Sequence, residues 1–581
     1  MPTYYLSANR DSQQIDPFLL QLRSGNILGL WSDLHPDPGF DGTYGVYGRA
    51  WSGDLSGTTL TDSRINTITS GIQSDPRATA FANGGWAVTF ESNGPSSING
   101  QDDAYYDTYI RFYNADGTPM GPARQITPNT TEDHYLADMV TLSNGQSLTL
   151  VARYEFGGIY DILAYRHTAT GQQVGAPVRL VDNAEVYVNS ITGAGYIDPS
   201  VAAAGNGTYA IAWHQESRLA DNQVGYSVFT QLFRNDGTAI GPQRVVAPVT
   251  AHPQESFGLD QTNGQIEARS VGGFALGWNR DQPDSLDGDV YFRLLDRFAA
   301  GQTQAVMVNT DRRAGDQVLQ DVVDLGGGRT LVTYFNQIPD AIDDIFDGGQ
   351  LLGRVFNGAG QAITASFMIS EGAPYEDMTG GNTIINIYGQ VVSSFSTQLN
   401  YADDDDVLVV LRDLVLPVQR LGAGNTAVMG SFVADRIEGQ AGQDTIRGDR
   451  GNDRLNGGDG HDLLYGGTGR DTLEGGTGND RLFGEIGNDI LMGNAGADTL
   501  AGGLGADVFI FSRVTGADLV TDFQNGVDRL QLVDFNGAQV GGLIAGARMI
   551  DGDAVLTLGP NAVIRLIDVT RAQLDMSDFI F

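Results

Sequence analysis

The chain has 581 residues, a formal charge of −37 and 41% hydrophobic residues, enough to bury real cores across two to four domains. There is no cysteine, which excludes disulfides, thiolate catalysis and Cys-ligated zinc, and 78 glycines ask for repeats or tight turns. The acidic balance argues against nucleic acid and anionic membranes as partners and favours divalent cations, and no stretch approaches the ~20 apolar residues of a membrane span.

The opening MPTYYLSANRDSQQ has no basic region followed by an apolar core, so it does not read as a secretory signal peptide. From there to about residue 420 a turn followed by an apolar strand recurs: SGNILGLWSD, NGGWAVTFES, NGQSLTLVAR, NGTYAIAWHQ, VGGFALGWNR, GGGRTLVTYF and YGQVVSSFST. The aligned glycines are Gly25, Gly84, Gly145, Gly207, Gly272, Gly327 and Gly389, spaced 55 to 65 residues apart. A further strand, often carrying an arginine, follows each (GVYGRAW, TYIRFYN, VYFRLLD, LLGRVFN), and several then turn on signals such as NADGTPMG or RNDGTAIG. Units this short cannot bury a core alone, whereas a β-sandwich needs about 100 residues. Seven of them predict a seven-bladed β-propeller over residues 1–424. The seventh unit lacks a fourth strand, and TYYLSANR at the start of the chain is expected to supply it.

The loops between second and third strands should share one face of that propeller, and they are acidic. They carry Asp33, Asp37 and Asp41; Asp102, Asp103 and Asp107; Glu216 and Asp221; Asp281, Asp284, Asp287 and Asp289; Asp340, Asp343, Asp344 and Asp347; and Asp403 to Asp406. Such a ring is either a solvated acidic face or a site for more calcium or a cationic partner. No loop has EF-hand spacing. The catalytic candidates are His214, with Glu216 nearby, and His134, beside Glu132 and Asp133. A lone histidine at a strand end is more often structural, and there is no nucleophile elbow, phosphate loop or metal triad.

From Gly430 to Ile510 the chain reads in nines. After a weaker unit, GSFVADRIE, come GQAGQDTIR, GDRGNDRLN, GGDGHDLLY, GGTGRDTLE, GGTGNDRLF, GEIGNDILM, GNAGADTLA and GGLGADVFI. Position 1 is Gly throughout and position 8 is always large and apolar. Position 6 is Asp in every unit: Asp435, Asp444, Asp453, Asp462, Asp471, Asp480, Asp489, Asp498 and Asp507. Glycine turns bring carbonyls inward, aspartate supplies a hard oxygen, and Ca²⁺ takes six to eight oxygens at flexible geometry. A flexible linker would have no reason to keep an apolar residue at every ninth position. A column of carboxylates repels itself without metal, so the array is expected to fold only when calcium binds.

These units resemble the RTX (hemolysin-type calcium-binding) repeat. The resemblance implies a parallel β-roll over residues 430–510. Its calcium ligands would be the position 6 aspartates and the turn glycines Gly442, Gly451, Gly460, Gly469, Gly478, Gly487, Gly496 and Gly505. Asp435 is a doubtful ligand, because Val433 stands where its unit should have glycine. Residues 511–581 alternate apolar and polar and read as strands, a C-terminal β cap. The segment GADVFIFSRVTGADLVTDFQNGVDRLQLVDF resembles the post-repeat region of serralysin metalloproteases, and the ending DMSDFIF resembles an uncleaved type I secretion signal. None of the six histidines forms H-E-x-x-H, so a zinc protease is not expected.

The expectation is therefore an all-β, calcium-binding protein exported by type I secretion machinery through its C-terminus and acting outside the cell. Its role would be as a surface, matrix, adhesion or surface-layer protein that binds cell-surface polysaccharide or itself. The alternative is a secreted polysaccharide lyase or hydrolase with the propeller as catalytic domain; a toxin-like effector ranks last.

Overall fold

The computed structural model describes residues 3–6, 13–34, 45–53, 55–67, 71–93, 105–128, 130, 132–155, 158–185, 197, 199–218, 224–251, 258–259, 261–281, 288–311, 316–339, 346–371, 376–379, 381–387, 389–399, 406–414, 416–513 and 516–581. It is all-β apart from one helix and one short 3₁₀ turn, in two compact units.

The first unit is a seven-bladed propeller. Blade 1 is built from Gln13–Gln21, Ile27–Leu34, Gly45–Trp51 and Thr58–Arg64, paired in that order. Blades 2 to 6 repeat the antiparallel meander, starting with the inner strands Gln73–Ala80, His134–Thr141, Ser200–Ala204, Gln261–Ala268 and Asp316–Gly326. The aligned glycines sit in the turn between first and second strands, with φ from 56° at Gly327 to 90° at Gly272, a region that side chains rarely occupy. Blade 7 combines Glu376–Thr379, Thr383–Ile385, Gln390–Leu399 and Asp406–Asp413 with a strand from the other end of the chain. Thr3–Tyr5 pairs antiparallel with Asp406–Asp413, in register Thr3 to Val410, as the missing fourth strand required. Leu6, fully buried, packs with Trp31 and Trp51 of blade 1 and Val409 of blade 7, so an apolar cluster seals the closure.

The recurrent third-strand arginine has a structural role. Arg111 donates to the Ile65 carbonyl at 2.6 Å, Arg293 to Val246 at 3.1 Å and Arg354 to Val308 at 2.5 Å. Each reaches chain from the preceding blade and satisfies a carbonyl there.

The second unit contains a parallel β-roll. Successive short strands alternate between two sheets, so each strand pairs with the one 18 residues later. One ladder aligns Ile437, Leu455, Leu473, Leu491 and Phe509; the other aligns Ile446, Leu464, Leu482 and Leu500. All nine side chains are fully buried, which is the core that position 8 builds. The ladders continue past the repeats through Val520, Leu530 and Leu566 to Phe579.

The post-repeat region departs from the all-strand reading at one place. Gly537–Gly546 is an α-helix. Asn536 caps it, accepting the Gln539 N–H at 3.0 Å while Gln539 accepts the Asn536 N–H at 3.0 Å. Four glycines in ten residues hide the helix from propensity, and burial of Val540 against the core holds it. Among the described residues no helix is long and apolar enough to cross a membrane.

Candidate functional site: the aspartate column and the propeller axis

In each nonapeptide the position 1 glycine leads into the turn and the position 6 aspartate folds back under it. A β-carbon on Gly466 would fall 2.5 Å from Asp471 Oδ2, and one on Gly484 2.4 Å from Asp489 Oδ2. Position 1 is therefore glycine because the carboxylate occupies the space a side chain would need. At position 4 the chains stack as closely: a β-carbon on Gly460 would meet the Gly442 carbonyl oxygen at 1.5 Å. Position 2 is left-handed even without glycine, as at Gln440, Asp449, Glu485 and Asn494.

The two oxygens of each aspartate have different roles. One accepts the backbone N–H of the aspartate 18 residues earlier: Asp462 from Asp444, Asp471 from Asp453 and Asp489 from Asp471, each at 2.8 Å. The other, Oδ2, is buried without a hydrogen-bond donor in all eight regular units, from Asp444 to Asp507. A buried carboxylate oxygen without a donor is costly. Burial pushes Asp453 up to about 9, Asp471 and Asp489 to about 7, and Asp480 and Asp507 to about 6, and the next carboxylate along the column adds to each rise. Asp435 differs: its Oδ2 accepts the Ser431 N–H at 2.5 Å and the Ser431 hydroxyl at 2.8 Å.

This donor set fits calcium. The column offers orphaned hard oxygens at a regular spacing with turn carbonyls beside them. Among the described residues no three Asp, Glu or His side chains converge on one point; the position 6 aspartates from Asp444 to Asp507 would hold calcium together with turn carbonyls.

The propeller candidates lie elsewhere. His134 opens the inner strand of blade 3, fully buried, with Nδ1 3.5 Å from Asp107. His214 is buried on the second strand of blade 4, edge-on to Tyr226. Of the acidic loop set, Asp33, Asp107 and Asp289 are buried strand-end residues. They accept from Trp31 at 3.2 Å, Thr127 at 2.9 Å and Asn309 at 2.7 Å. Glu216 lies within the second strand of blade 4, and Asp281, Asp347 and Asp406 fall within strands. The remaining loop carboxylates are outside the described residues.

The propeller instead encloses a cavity of about 360 Å³ between its inner strands, lined by Asp16, Asp75, Arg77, Asp138, Glu267 and Asp321 among others. Neither histidine lines it. The inner strands of blades 1, 2, 3 and 5 break register there, between Ile15 and Phe18, Ser74 and Arg77, Leu136 and Asp138, and Thr262 and Gln265. Asp16 and Asp75 take φ of 53° and 50° in these bulges. Around the ring a polar side chain of one blade accepts an inner-strand N–H of the next. The pairs are Glu91 with Leu136 at 2.5 Å, Asp138 with Val201 at 2.8 Å and Ser200 with Ile266 at 3.3 Å. Asn279 with Leu319 at 2.8 Å, Asp321 with Thr383 at 2.9 Å and Asn382 with Leu19 at 2.7 Å continue the ring. The sequence carried one overlooked signal for this cavity: Asp-Pro stands nine residues before the aligned glycine at Asp16, Asp75 and Asp198.

Glycine-cradled aspartates stacked in a parallel roll define a calcium-binding repeat protein. Over this region the chain matches the model of the RTX calcium-binding nonapeptide repeat, in four copies at residues 429–464, 456–491, 465–500 and 474–509. No curated protein matches the chain. Among solved structures it is similar to a protein of unknown function from Dyadobacter fermentans (11% identity, 71% of this chain and 97% of that one, TM-score 0.39). An ulvan lyase of polysaccharide lyase family PL25, bound to a GlcA–Rha3S saccharide, is similar at 9% identity (70% and 95% coverage, TM-score 0.44). A Trypanosoma rangeli sialidase matches at 10% identity (69% and 55% coverage, TM-score 0.34).

Proposed function

We propose that the chain is an extracellular, calcium-dependent binding protein. In this reading the propeller is the ligand-binding domain, and the RTX roll folds on meeting external calcium after export through the C-terminal DMSDFIF by type I machinery. The supporting observation is the column of eight buried Oδ2 atoms without donors, a charge load the folded roll relieves by taking up a cation. Adhesion to cell-surface polysaccharide and assembly into a surface layer both suit this domain order.

A second reading, a polysaccharide-active enzyme, is supported by the axial cavity. Burial pushes Asp321 up to about 7, the range of a general acid working near neutrality. One experiment separates the two: incubation with a polysaccharide panel in calcium, following both retention on the glycan and the appearance of reducing ends or unsaturated product. The binding reading expects calcium-dependent retention or self-association without product. Product that disappears in Asp321→Asn replaces it with the enzyme reading.

A further inference from the structure

The charged groups facing the axial cavity can be named blade by blade. Blade 1 contributes Asp16, blade 2 Asp75 and Arg77 with Glu91 behind them, and blade 3 Asp138. Blade 4 presents the neutral Ser200, blade 5 Glu267, blade 6 Asp321 with Asp324 behind it, and blade 7 the neutral Asn382. Among the described residues, the cations against these carboxylates are Arg77 and, behind the cavity, Arg269, which faces Asp324. Glu91, Asp138 and Asp321 also hold blade 2 to 3, 3 to 4 and 6 to 7 through backbone N–H groups. Like charges enclosed at the seams of the ring push on those seams.

We infer that the axial cavity is a proton-operated latch: protonated, its carboxylates let the blades close on one another, and ionised, they repel one another across the ring and lower its stability, although each clasp at Leu136, Val201 and Thr383 is itself a stronger bond to an ionised acceptor. The direction of titration agrees. Burial pushes Asp16 up to about 6 and Asp321 up to about 7, raises Asp138, and holds Glu91 and Glu267 well above the ordinary carboxylate range; neighbouring carboxylates add to this at every group but Asp138. Folded values above unfolded ones mean that the folded ring binds more protons than the unfolded chain between about pH 4 and pH 7. The stabilisation is whole below that window and is lost as pH rises through it. The latch is independent of what the propeller binds.

All five tryptophans, Trp31, Trp51, Trp86, Trp213 and Trp278, lie in the propeller, so their fluorescence reports its unfolding. In the full chain at saturating calcium, the tryptophan-detected Tm should fall by several degrees between about pH 5 and about pH 8. Glu267→Gln removes charge without touching a clasp. It should raise Tm at the higher pH, leave it unchanged at the lower, and flatten the slope. A Tm that is flat or rises with pH, or a Glu267→Gln variant with the parent's slope, would overturn the latch.

Discussion

In the roll, aspartates arrive once every nine residues, and from Asp444 to Asp507 each leaves one oxygen buried without a donor. In the propeller, Asp138 and Asp321 are also enclosed, yet both use their oxygens on backbone N–H groups of the next blade. The first arrangement leaves charge that a bound cation would neutralise; the second is internally satisfied and pays only in charge repulsion. The apolar supply differs in the same sense. The roll core holds one buried side chain per nonapeptide, a thin stack, whereas propeller clusters combine several strands with buried tryptophan, tyrosine and phenylalanine. A thin core with orphaned charge makes folding conditional on metal, and a thick core with satisfied charge does not.

Calcium removal should divide the molecule most sharply. With excess chelator, the far-UV β signal of residues 430–581 should be lost while tryptophan fluorescence stays native. A roll that remains folded without calcium, or a propeller that unfolds with it, breaks the contrast.

A smaller effect should follow from truncating the seal of the ring. Leu6→Ala should lower propeller stability by about 2–5 kcal/mol, the cost of a buried leucine cavity. Urea unfolding followed by tryptophan fluorescence reads it, and the calcium midpoint of the roll should not move. A shift of that midpoint would show that the two units are coupled.

The smallest effect lies within the column. Asp471→Asn removes the charge of a carboxylate with one orphaned oxygen and should raise the calcium midpoint on the order of tenfold. Asp435→Asn alters a carboxylate already bonded to Ser431 and should shift it by about twofold or less. Equal shifts in calcium-monitored circular dichroism would mean that Ser431 does not replace an ion at that unit.

Much of this was legible because both units repeat. Period nine sets the roll, since each residue type answers a local demand: no β-carbon at Gly466, an oxygen at Asp471, an apolar side chain at Leu473. The period of about 60 residues set the blades through Gly25 to Gly389, and the missing strand of blade 7 pointed to the chain start. The helix at Gly537–Gly546 was illegible because its glycines argue against helix and only tertiary burial of Val540 overrides them. The axial carboxylates were missed because they come one or two per blade, about 60 residues apart, with no local motif beyond Asp-Pro.

The sequence by itself determined the roll, its column of aspartates and the number of blades, because these rest on contacts between residues at fixed spacing. Only the tertiary structure decided that His134 and His214 are packed away from the axis. It alone brought Asp16, Asp75, Asp138, Glu267 and Asp321 around one cavity, because closing a ring of seven sheets makes neighbours of residues that no local pattern connects.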